Sequence, residues 1–256
     1  MSNPFSLDGP FSLGGRVVIV TGGAMGIGEG VVRMLAQCGA VVAIADRDLP
    51  KAQALAAELG DSAQAFAVDM GDEASIIAMT AAVVEQLGTP WALVNNAGVQ
   101  DRQLLLEGTA EEWDRNNAIN ARGPFLLTRE VGRAMVAAGQ GGRIVNLASC
   151  SLRGQAIKGL ASYMGSKGAL AALTKASALE LAEHGITVNT VLPGGVGTPG
   201  AIGAKGPPAE GPARRMPALG FCEPSDIAAA VAYFVSPAAR YATNQTICVD
   251  AGWSVT

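Results

Sequence analysis

TGGAMGIG, residues 21–28, separates the apolar run at residues 16–21 from a predicted helix that begins at Ile27. Its glycines at positions 22, 26 and 28 allow a sharp turn, a close approach of backbone to a pyrophosphate, and tight packing of helix on strand. The start of the helix offers unpaired N–H groups and a positive dipole end to phosphates. A glycine-rich turn between strand and helix therefore predicts a dinucleotide-binding fold.

The same alternation of strand and helix continues along the chain. Strands are predicted at residues 16–21, 41–45, 65–68, 92–95, 143–147, 187–191 and 246–249, and helices at 27–38, 50–59, 73–87, 111–138, 162–184 and 225–235. Nearly continuous apolar strands separated by helices are typical of a parallel sheet covered on both faces. We therefore expect one α/β domain at residues 15–256, a doubly wound parallel sheet of about seven strands, preceded by an N-terminal arm at residues 1–14.

Residues 199–220 interrupt this alternation with five prolines and five glycines. Long segments without regular structure in a compact domain are usually functional or flexible. We predict that these residues, called the lid below, cover a site; a disordered surface loop is the alternative.

Asp46 directly follows the second predicted strand, 18 residues beyond Gly28. A carboxylate at this point can bind both ribose hydroxyls of an adenosine, and it repels a 2′-phosphate. Arg47 is a competing signal for a 2′-phosphate, but no second basic residue lies in the glycine-rich turn. The pattern favours NAD over NADP. Asp69, after the third strand, is a candidate either for an adenine contact or for the N-cap of the next helix.

Tyr163 and Lys167 stand four residues apart, which places both on one face of a predicted helix. The ordinary pKa of tyrosine, about 10, is too high for a base near neutral pH. A neighbouring cation favours the phenolate and lowers that pKa, so the pair is a candidate acid/base.

Composition excludes several other functions. Eighteen Lys and Arg against 22 Asp and Glu give a net charge of −4, which argues against a nucleic-acid partner. With a single histidine, His184, next to a predicted C-cap glycine, and four cysteines without a C-x-x-C pair, no metal site is predicted. No apolar run approaches the about 18 residues of a membrane span, and the start lacks a secretion signal. We expect a cytoplasmic protein that binds a small molecule.

Several motifs, in order along the chain, resemble those of the short-chain dehydrogenase/reductase family from about residue 15 to 253. TGGAMGIG resembles the family's T-G-x-x-x-G-x-G, and NNAG at 95–98 resembles its sheet-stabilising motif. Asn120, Ser149, Tyr163 and Lys167 fall at the positions of its active-site Asn, Ser, Tyr and Lys. PGGVGTP at 193–199 resembles the segment that closes over nicotinamide, and QTICVDAGW at 245–253 resembles its closing strand.

The resemblance implies hydride transfer between a nicotinamide and a secondary alcohol or ketone of a sugar, polyol, cyclic diol or steroid. Tyr163 would exchange the proton, Lys167 would lower the tyrosine pKa and hold the nicotinamide ribose, and Ser149 would bind the substrate oxygen. Asn120 would hold a water that links the lysine to solvent. A homotetramer is also implied, with helices 111–138 and 162–184 packing against their symmetry mates. The expected cofactor contacts are Gly22, Met25, Gly26, Ile27, Gly28, Asp46, Arg47, Asp69, Asn95, Ala97, Gly98, Tyr163, Lys167, Pro193, Gly194, Val196 and Thr198.

Several alternatives stay open at this point. Either Ser149 or Ser151 could donate the active-site hydroxyl, and position in the strand favours Ser149. Candidate substrate contacts are Ser149, Ser151, Arg153, Gln155 and Tyr163. A 3-oxoacyl thioester reductase is the second enzyme candidate, against which Asp46 and the acidic charge balance count. A non-catalytic dinucleotide sensor is the candidate from another class, although it predicts an incomplete active-site set.

Overall fold

A computed structural model describes residues 9–154, 156–207, 210–211 and 216–256. Seven strands form one sheet in the order β3-β2-β1-β4-β5-β6-β7, and every neighbouring pair is parallel. The strands are β1 (Val17–Thr21), β2 (Val41–Asp46), β3 (Ala63–Ala67), β4 (Ala92–Asn95), β5 (Gly142–Leu147), β6 (Ile186–Pro193) and β7 (Thr246–Val249). The helices are α1 (Gly26–Gln37), α2 (Leu49–Leu59), α3 (Glu73–Leu87), α4 (Ala110–Asn117), α5 (Gly123–Ala138), α6 (Ala161–Leu181), α7 (Pro199–Ile202) and α8 (Pro224–Val235). The predicted fold class is confirmed.

The strands are apolar throughout because helices cover both faces of the sheet. Successive strand side chains point to opposite faces. In β1, Val18 and Val20 pack into the cluster that contains α1 and α8. Val17 and Ile19 pack into the cluster on the other face, with α3, α5 and α6. A strand with both faces buried carries no alternation of polar and apolar residues, which is why β1 reads VVIVT.

The order of the strands places a crevice at the carboxyl end of the sheet. β1 pairs with β2 on one side and with β4 on the other. Successive strands are therefore added on one side of β1 up to β3 and on its other side from β4 onward, so the order of the strands reverses at β1. Ligands of open α/β sheets bind at such a point, beyond the carboxyl ends of the strands.

The predicted helix at 111–138 is wrong as a single helix. It consists of α4, a π turn at Ala118–Arg122, and α5. Pro124 explains the interruption, because it has no N–H to donate to the carbonyl of Asn120 four residues earlier. A π turn inside a helix is often found at functional sites, and this one contains Asn120.

The glycine predicted to cap the helix end beside His184 has the left-handed backbone expected of it. His184 ends a 3₁₀ turn after α6, and Gly185 follows it with a φ of 70°. Asn244 has a φ of 54°, a left-handed conformation that asparagine tolerates. The lid is not wholly without regular structure, since the short helix α7 lies at its start. Within the described residues, no helix has the length and apolar character that a membrane crossing needs.

Candidate active site

The glycine-rich turn lies at the carboxyl end of β1 and leads into α1. Gly22 has a φ of 62°, and a Cβ there would lie 2.9 Å from the Cα of Ala97. A Cβ on Gly28 would collide with the carbonyl group of Gly22. Both positions require glycine, and the backbone of the turn can therefore be approached closely by a pyrophosphate.

Thr21 and Asn96 fasten this turn to the loop after β4. The Oγ1 of Thr21 accepts the N–H groups of Asn96 and Ala97 at 3.0 and 3.1 Å. The amide of Asn96 donates to the carbonyls of Thr21 and Gly22 at 2.8 and 3.1 Å. The second asparagine of NNAG thus holds the two phosphate-side loops together.

The first asparagine of that motif has a different position from the one predicted. Asn95 is buried, and its amide donates to Asn146 at 2.8 Å and to Thr128 at 3.3 Å. It therefore joins β4 to β5 and α5 instead of lining the crevice. This placement argues against the cofactor contact predicted for Asn95, and it follows from the alternation of side chains at the strand end.

Asp46 lies at the end of β2, beside the glycine-rich turn. Its Oδ2 accepts the N–H of Ala24 at 3.0 Å, and its Oδ1 accepts the N–H of Asp48 at 2.9 Å. Arg47 and Lys51 line the same end of the crevice, and the ammonium of Lys51 is 2.7 Å from Asp48. This end of the crevice therefore holds the carboxylates of Asp46 and Asp48 and two cations, of which Lys51 is paired with Asp48.

Ser149, Tyr163 and Lys167 meet at the other end, beyond β5. The side chains of Ser149 and Tyr163 are hydrogen-bonded to each other. The Nζ of Lys167 donates to the carbonyl of Leu147 at 2.7 Å and lies 5.9 Å from the centre of the Tyr163 ring. A hydroxyl donor, a phenol and an ammonium group therefore share one small volume.

Burial shifts the pKa values of both Tyr163 and Lys167. It raises the pKa of Tyr163 to about 12, although the hydrogen bond from Ser149 acts in the opposite direction. It lowers the pKa of Lys167 to about 8. Desolvation therefore dominates the pKa of Tyr163 in the structure, and the lowering of that pKa by Lys167 stays a prediction.

Asn120 lies behind the lysine, in the π turn. Its Oδ1 accepts the N–H of Val99 at 2.9 Å, and its Nδ2 donates to the carbonyl of Val99 at 2.9 Å and to Ser166 at 3.0 Å. A Cβ on Gly98 would lie 3.1 Å from the Asn120 Oδ1 and 3.4 Å from the Lys167 Nζ. Asn120 thus joins the loop after β4 to α6 beside the lysine.

The two candidate serines differ in their contacts. Ser149 is bonded to Tyr163, and its Oγ also accepts the N–H of Ser151 at 3.2 Å. The Oγ of Ser151 is buried and has no hydrogen-bond partner among the residues that the structure describes. Arg153 is exposed and does not line the crevice, and Gln155 lies outside the described residues. The geometry favours Ser149 as the active-site hydroxyl.

One crevice of about 770 Å³ connects both ends. Its volume is within the usual range of ligand pockets, about 300–1,000 Å³. The bare turn at Gly22 and the fixed carboxylate of Asp46 fit a nicotinamide dinucleotide. The predicted residues that line it are Gly22, Met25, Gly26, Ile27, Gly28, Asp46, Arg47, Asp69, Ala97, Gly98, Ser149, Ser151, Tyr163, Lys167, Pro193, Gly194, Val196 and Thr198.

Sequence reasoning missed several residues of the crevice, among them Lys51, Asn96, Asp101, Arg115 and Trp253. Asn96 had a usable signal, because it follows β4 immediately and so faces the side opposite to Asn95. Lys51 lies inside the predicted helix at residues 50–59, and Asp48 lies two residues before the start of that helix. The pair could therefore have been noticed from the sequence. Nothing in the local sequence marks Asp101, Arg115 or Trp253.

Known proteins share this fold and these motifs. A family model described as enoyl-(acyl carrier protein) reductase matches residues 22–254. A galactitol 2-dehydrogenase (L-tagatose-forming) from Cereibacter sphaeroides is 38% identical over 96% of this chain and 97% of its own. A D-threitol dehydrogenase from Mycolicibacterium smegmatis is 36% identical over 98% of this chain and 97% of its own. The crystal structure of a 3-ketoacyl-(acyl-carrier-protein) reductase from Brucella melitensis, complexed with NADH, has a TM-score of 0.87, is 36% identical, and covers 95% of this chain and 100% of its own.

These similarities extend over nearly the whole chain and include the motifs that build the crevice. The chain belongs to the short-chain dehydrogenase/reductase family. It is an NAD(P)-dependent oxidoreductase that transfers a hydride between a nicotinamide and a secondary alcohol or ketone.

Proposed function

We propose that this protein is an NAD-dependent dehydrogenase of polyols or sugars, which oxidises one secondary hydroxyl to a ketone. The observation that carries the proposal is the contact of Ser149 with Tyr163 beside Lys167, at the end of a crevice that begins at Asp46. The similarity to a galactitol and a threitol dehydrogenase supports a polyol substrate.

The preference for NAD rests on Asp46. Its two oxygens keep free lone pairs after accepting the N–H groups of Ala24 and Asp48, so it can still bind ribose hydroxyls. Its fixed negative charge repels a 2′-phosphate. Lys51 is paired with Asp48, which leaves Arg47 as the side chain available to a 2′-phosphate.

The phosphates and the nicotinamide are assigned to separate parts of the crevice. The glycine-rich turn with the N-terminus of α1 would hold the pyrophosphate. Val196 and Thr198 would contact the carboxamide, and Lys167 would hold the nicotinamide ribose. The bound nicotinamide supplies the acceptor for a hydride from the substrate carbon.

Tyr163 acts as the acid/base of the reaction. In oxidation, the phenolate oxygen takes the proton of the substrate hydroxyl as the C–H bond gives up its hydride, and in reduction the phenol returns that proton. Ser149 donates a hydrogen bond to the same substrate oxygen, whose charge changes during the reaction. Lys167 favours the phenolate electrostatically, and Asn120 positions the loop beside it.

We also propose a homotetramer located in the cytoplasm. Trp113 on α4, Phe125 on α5 and Leu179 on α6 are exposed apolar side chains, as expected of helices that pack against symmetry mates. All four cysteines are free thiols, which suits a reducing compartment.

A screen for NADH production at 340 nm tests the function. Purified protein is offered a panel of polyols, sugars, cyclic diols and hydroxysteroids with NAD and with NADP, and separately a 3-oxoacyl thioester with NADPH. Turnover of a polyol with NAD is the expected result. Faster turnover of the thioester with NADPH would identify the 3-oxoacyl reductase instead. No turnover in any arm, despite binding of NADH, would favour a dinucleotide sensor.

A further inference from the structure

The loop after β4 makes a dense set of contacts with the lid. The backbone N–H of Arg102 donates to the carbonyl of Lys205 at 2.8 Å. The Oδ1 of Asp101 accepts the N–H of Lys205 at 3.0 Å. The guanidinium of Arg102 donates to the carbonyls of Pro207 and Ala204 at 3.0 and 3.5 Å. Four hydrogen bonds from two adjacent residues therefore hold residues 204–207.

Close packing accompanies these hydrogen bonds. Gly206 has a φ of 116°, and a Cβ there would collide with the backbone of Arg102. A second contact follows along the lid, where the N–H of Lys158 donates to the carbonyl of Glu210 at 2.7 Å and the two side chains form an ion pair at 3.1 Å. The lid is thus attached to the body of the protein at residues 204–207 and again at Glu210.

Asp101 is itself held in place by α4. Its Oδ2 forms an ion pair with Arg115 at 2.7 Å, while its other oxygen binds the lid. Burial alone would raise the pKa of Asp101, but the hydrogen bonds from Lys205 and Arg115 bring it below its ordinary value. The carboxylate is therefore charged at neutral pH and joins three elements: the loop after β4, α4 and the lid.

The attached part of the lid is also a wall of the crevice. Gly203 and Ala204 line it together with Gln100 and Asp101, and Arg102 lies against Gly159, four residues before Tyr163. Three of the four hydrogen bonds to residues 204–207 run from side chains of the body to main-chain groups of the lid. Whether this wall is in place therefore depends on residues 101 and 102 more than on the lid's own side chains.

We propose that Asp101 and Arg102 are positioning residues that fasten the lid over the catalytic end of the crevice and thereby determine how tightly the alcohol substrate is retained. The part that concerns the alcohol rests on the proposed function. The attachment of the lid does not, and it can be measured without any substrate.

Trypsin cleavage after Lys205 reports the attachment directly. Both backbone groups of Lys205 are bound by the loop after β4, and a protease cuts such a site only when it opens. Arg102→Met, which removes the guanidinium donors, and Asp101→Asn, which removes the ion pair with Arg115, should each speed this cleavage at least about tenfold, as followed by mass spectrometry. Arg102→Lys, which keeps one donor, should restore part of the protection.

Arg33→Met is the matched control, because Arg33 forms ion pairs with Glu29 and Glu58 away from the crevice. It should be cleaved at the wild-type rate. With the best alcohol substrate, the two loop variants should raise KM about tenfold while the Kd of NADH and the melting temperature stay at the wild-type values. Cleavage at the wild-type rate in both loop variants would overturn the attachment, and faster cleavage with an unchanged KM would overturn its role in substrate retention. If the wild-type protein oxidises no alcohol, the proposed function fails, while the cleavage rates still decide the attachment.

Discussion

The ammonium nitrogen of Lys167 lies 5.9 Å from the centre of the Tyr163 ring and donates its 2.7 Å hydrogen bond to the carbonyl of Leu147. The lysine is therefore anchored to the end of β5, with the tyrosine as its neighbour one helical turn away. A buried cation without a carboxylate partner among the described residues is costly for the fold. We infer that the fold bears this cost because the function of the site requires a lysine at this position.

Replacing Lys167 by methionine should therefore stabilise the protein while damaging catalysis. Burial lowers the pKa of Lys167 from 10.5 to about 8, which corresponds to a folding cost of up to about 3 kcal/mol while the group is charged. Thermal unfolding at pH 7 should give a higher melting temperature for Lys167→Met, with weaker NAD binding and slower turnover.

The pH dependence of this gain follows from the direction of the shift. Between the folded pKa and the higher unfolded pKa, the unfolded state binds more protons, so the stability of the wild-type protein rises with pH in that window. The gain from Lys167→Met should accordingly be largest below pH 8 and disappear near pH 10.5. A gain that does not change with pH would show that the lysine charge is not its cause.

The choice of cofactor should depend on the charge of Asp46. Asp46→Asn keeps an acceptor oxygen for only one of the two backbone N–H groups that the carboxylate now binds, and it removes the negative charge that repels a 2′-phosphate. We expect the ratio of the Kd values for NADP and NAD to fall at least about tenfold, which is about 1.4 kcal/mol. Asp61→Asn, at an exposed residue, serves as the control. An unchanged ratio in Asp46→Asn would contradict the ribose assignment.

Replacing Ser149 and replacing Ser151 should have different effects on turnover. Ser149→Ala removes the hydroxyl that is bonded to Tyr163 and should lower kcat about 10²-fold with little effect on the Kd of NAD. Ser151→Ala removes a buried hydroxyl that has no hydrogen-bond partner within the described part of the chain, so it should have a mild effect on turnover and a neutral or favourable effect on stability. Steady-state kinetics of both variants check this order, and the reverse order would assign the active-site hydroxyl to Ser151.

The rates of oxidation and of reduction should change with pH in opposite directions, because both depend on the protonation of Tyr163. Oxidation uses the phenolate, and burial raises the pKa of Tyr163 to about 12. Below that pKa the phenolate fraction grows with pH, so oxidation should accelerate from pH 7 to 10 and reduction should accelerate as the pH falls. Initial rates in both directions over this range give the test. An oxidation rate that is independent of pH would mean that no proton transfer from this group limits the reaction.

The sequence predicted the fold and about half of the residues that line the crevice, because both depend on local patterns. The bounds of β4 and α3 follow from apolar runs that end at Asn95 and Leu87, and the glycines of the turn are fixed by backbone geometry. The π turn escaped prediction because apolar periodicity continues through it, and only the missing N–H of Pro124 marks the interruption.

Contacts between distant segments could not be predicted in the same way. The pairing of Asp101 with the N–H of Lys205 joins residues more than a hundred positions apart, and neither residue belongs to a recognisable motif. The net pKa of Tyr163 could not be predicted for a related reason: spacing identifies the neighbouring lysine, whereas desolvation depends on everything packed around the ring.

The central claim is that the hydroxyl of Tyr163 carries the proton. Tyr163→Phe removes that one oxygen, and the ring can still pack on its neighbours. Stopped-flow measurement of NADH formation in a single turnover, with saturating NAD and the best alcohol, tests the claim directly. We expect the single-turnover rate to fall by about 10²–10⁴-fold, with the Kd of NADH at the wild-type value. A rate equal to that of the wild-type protein would contradict the claim.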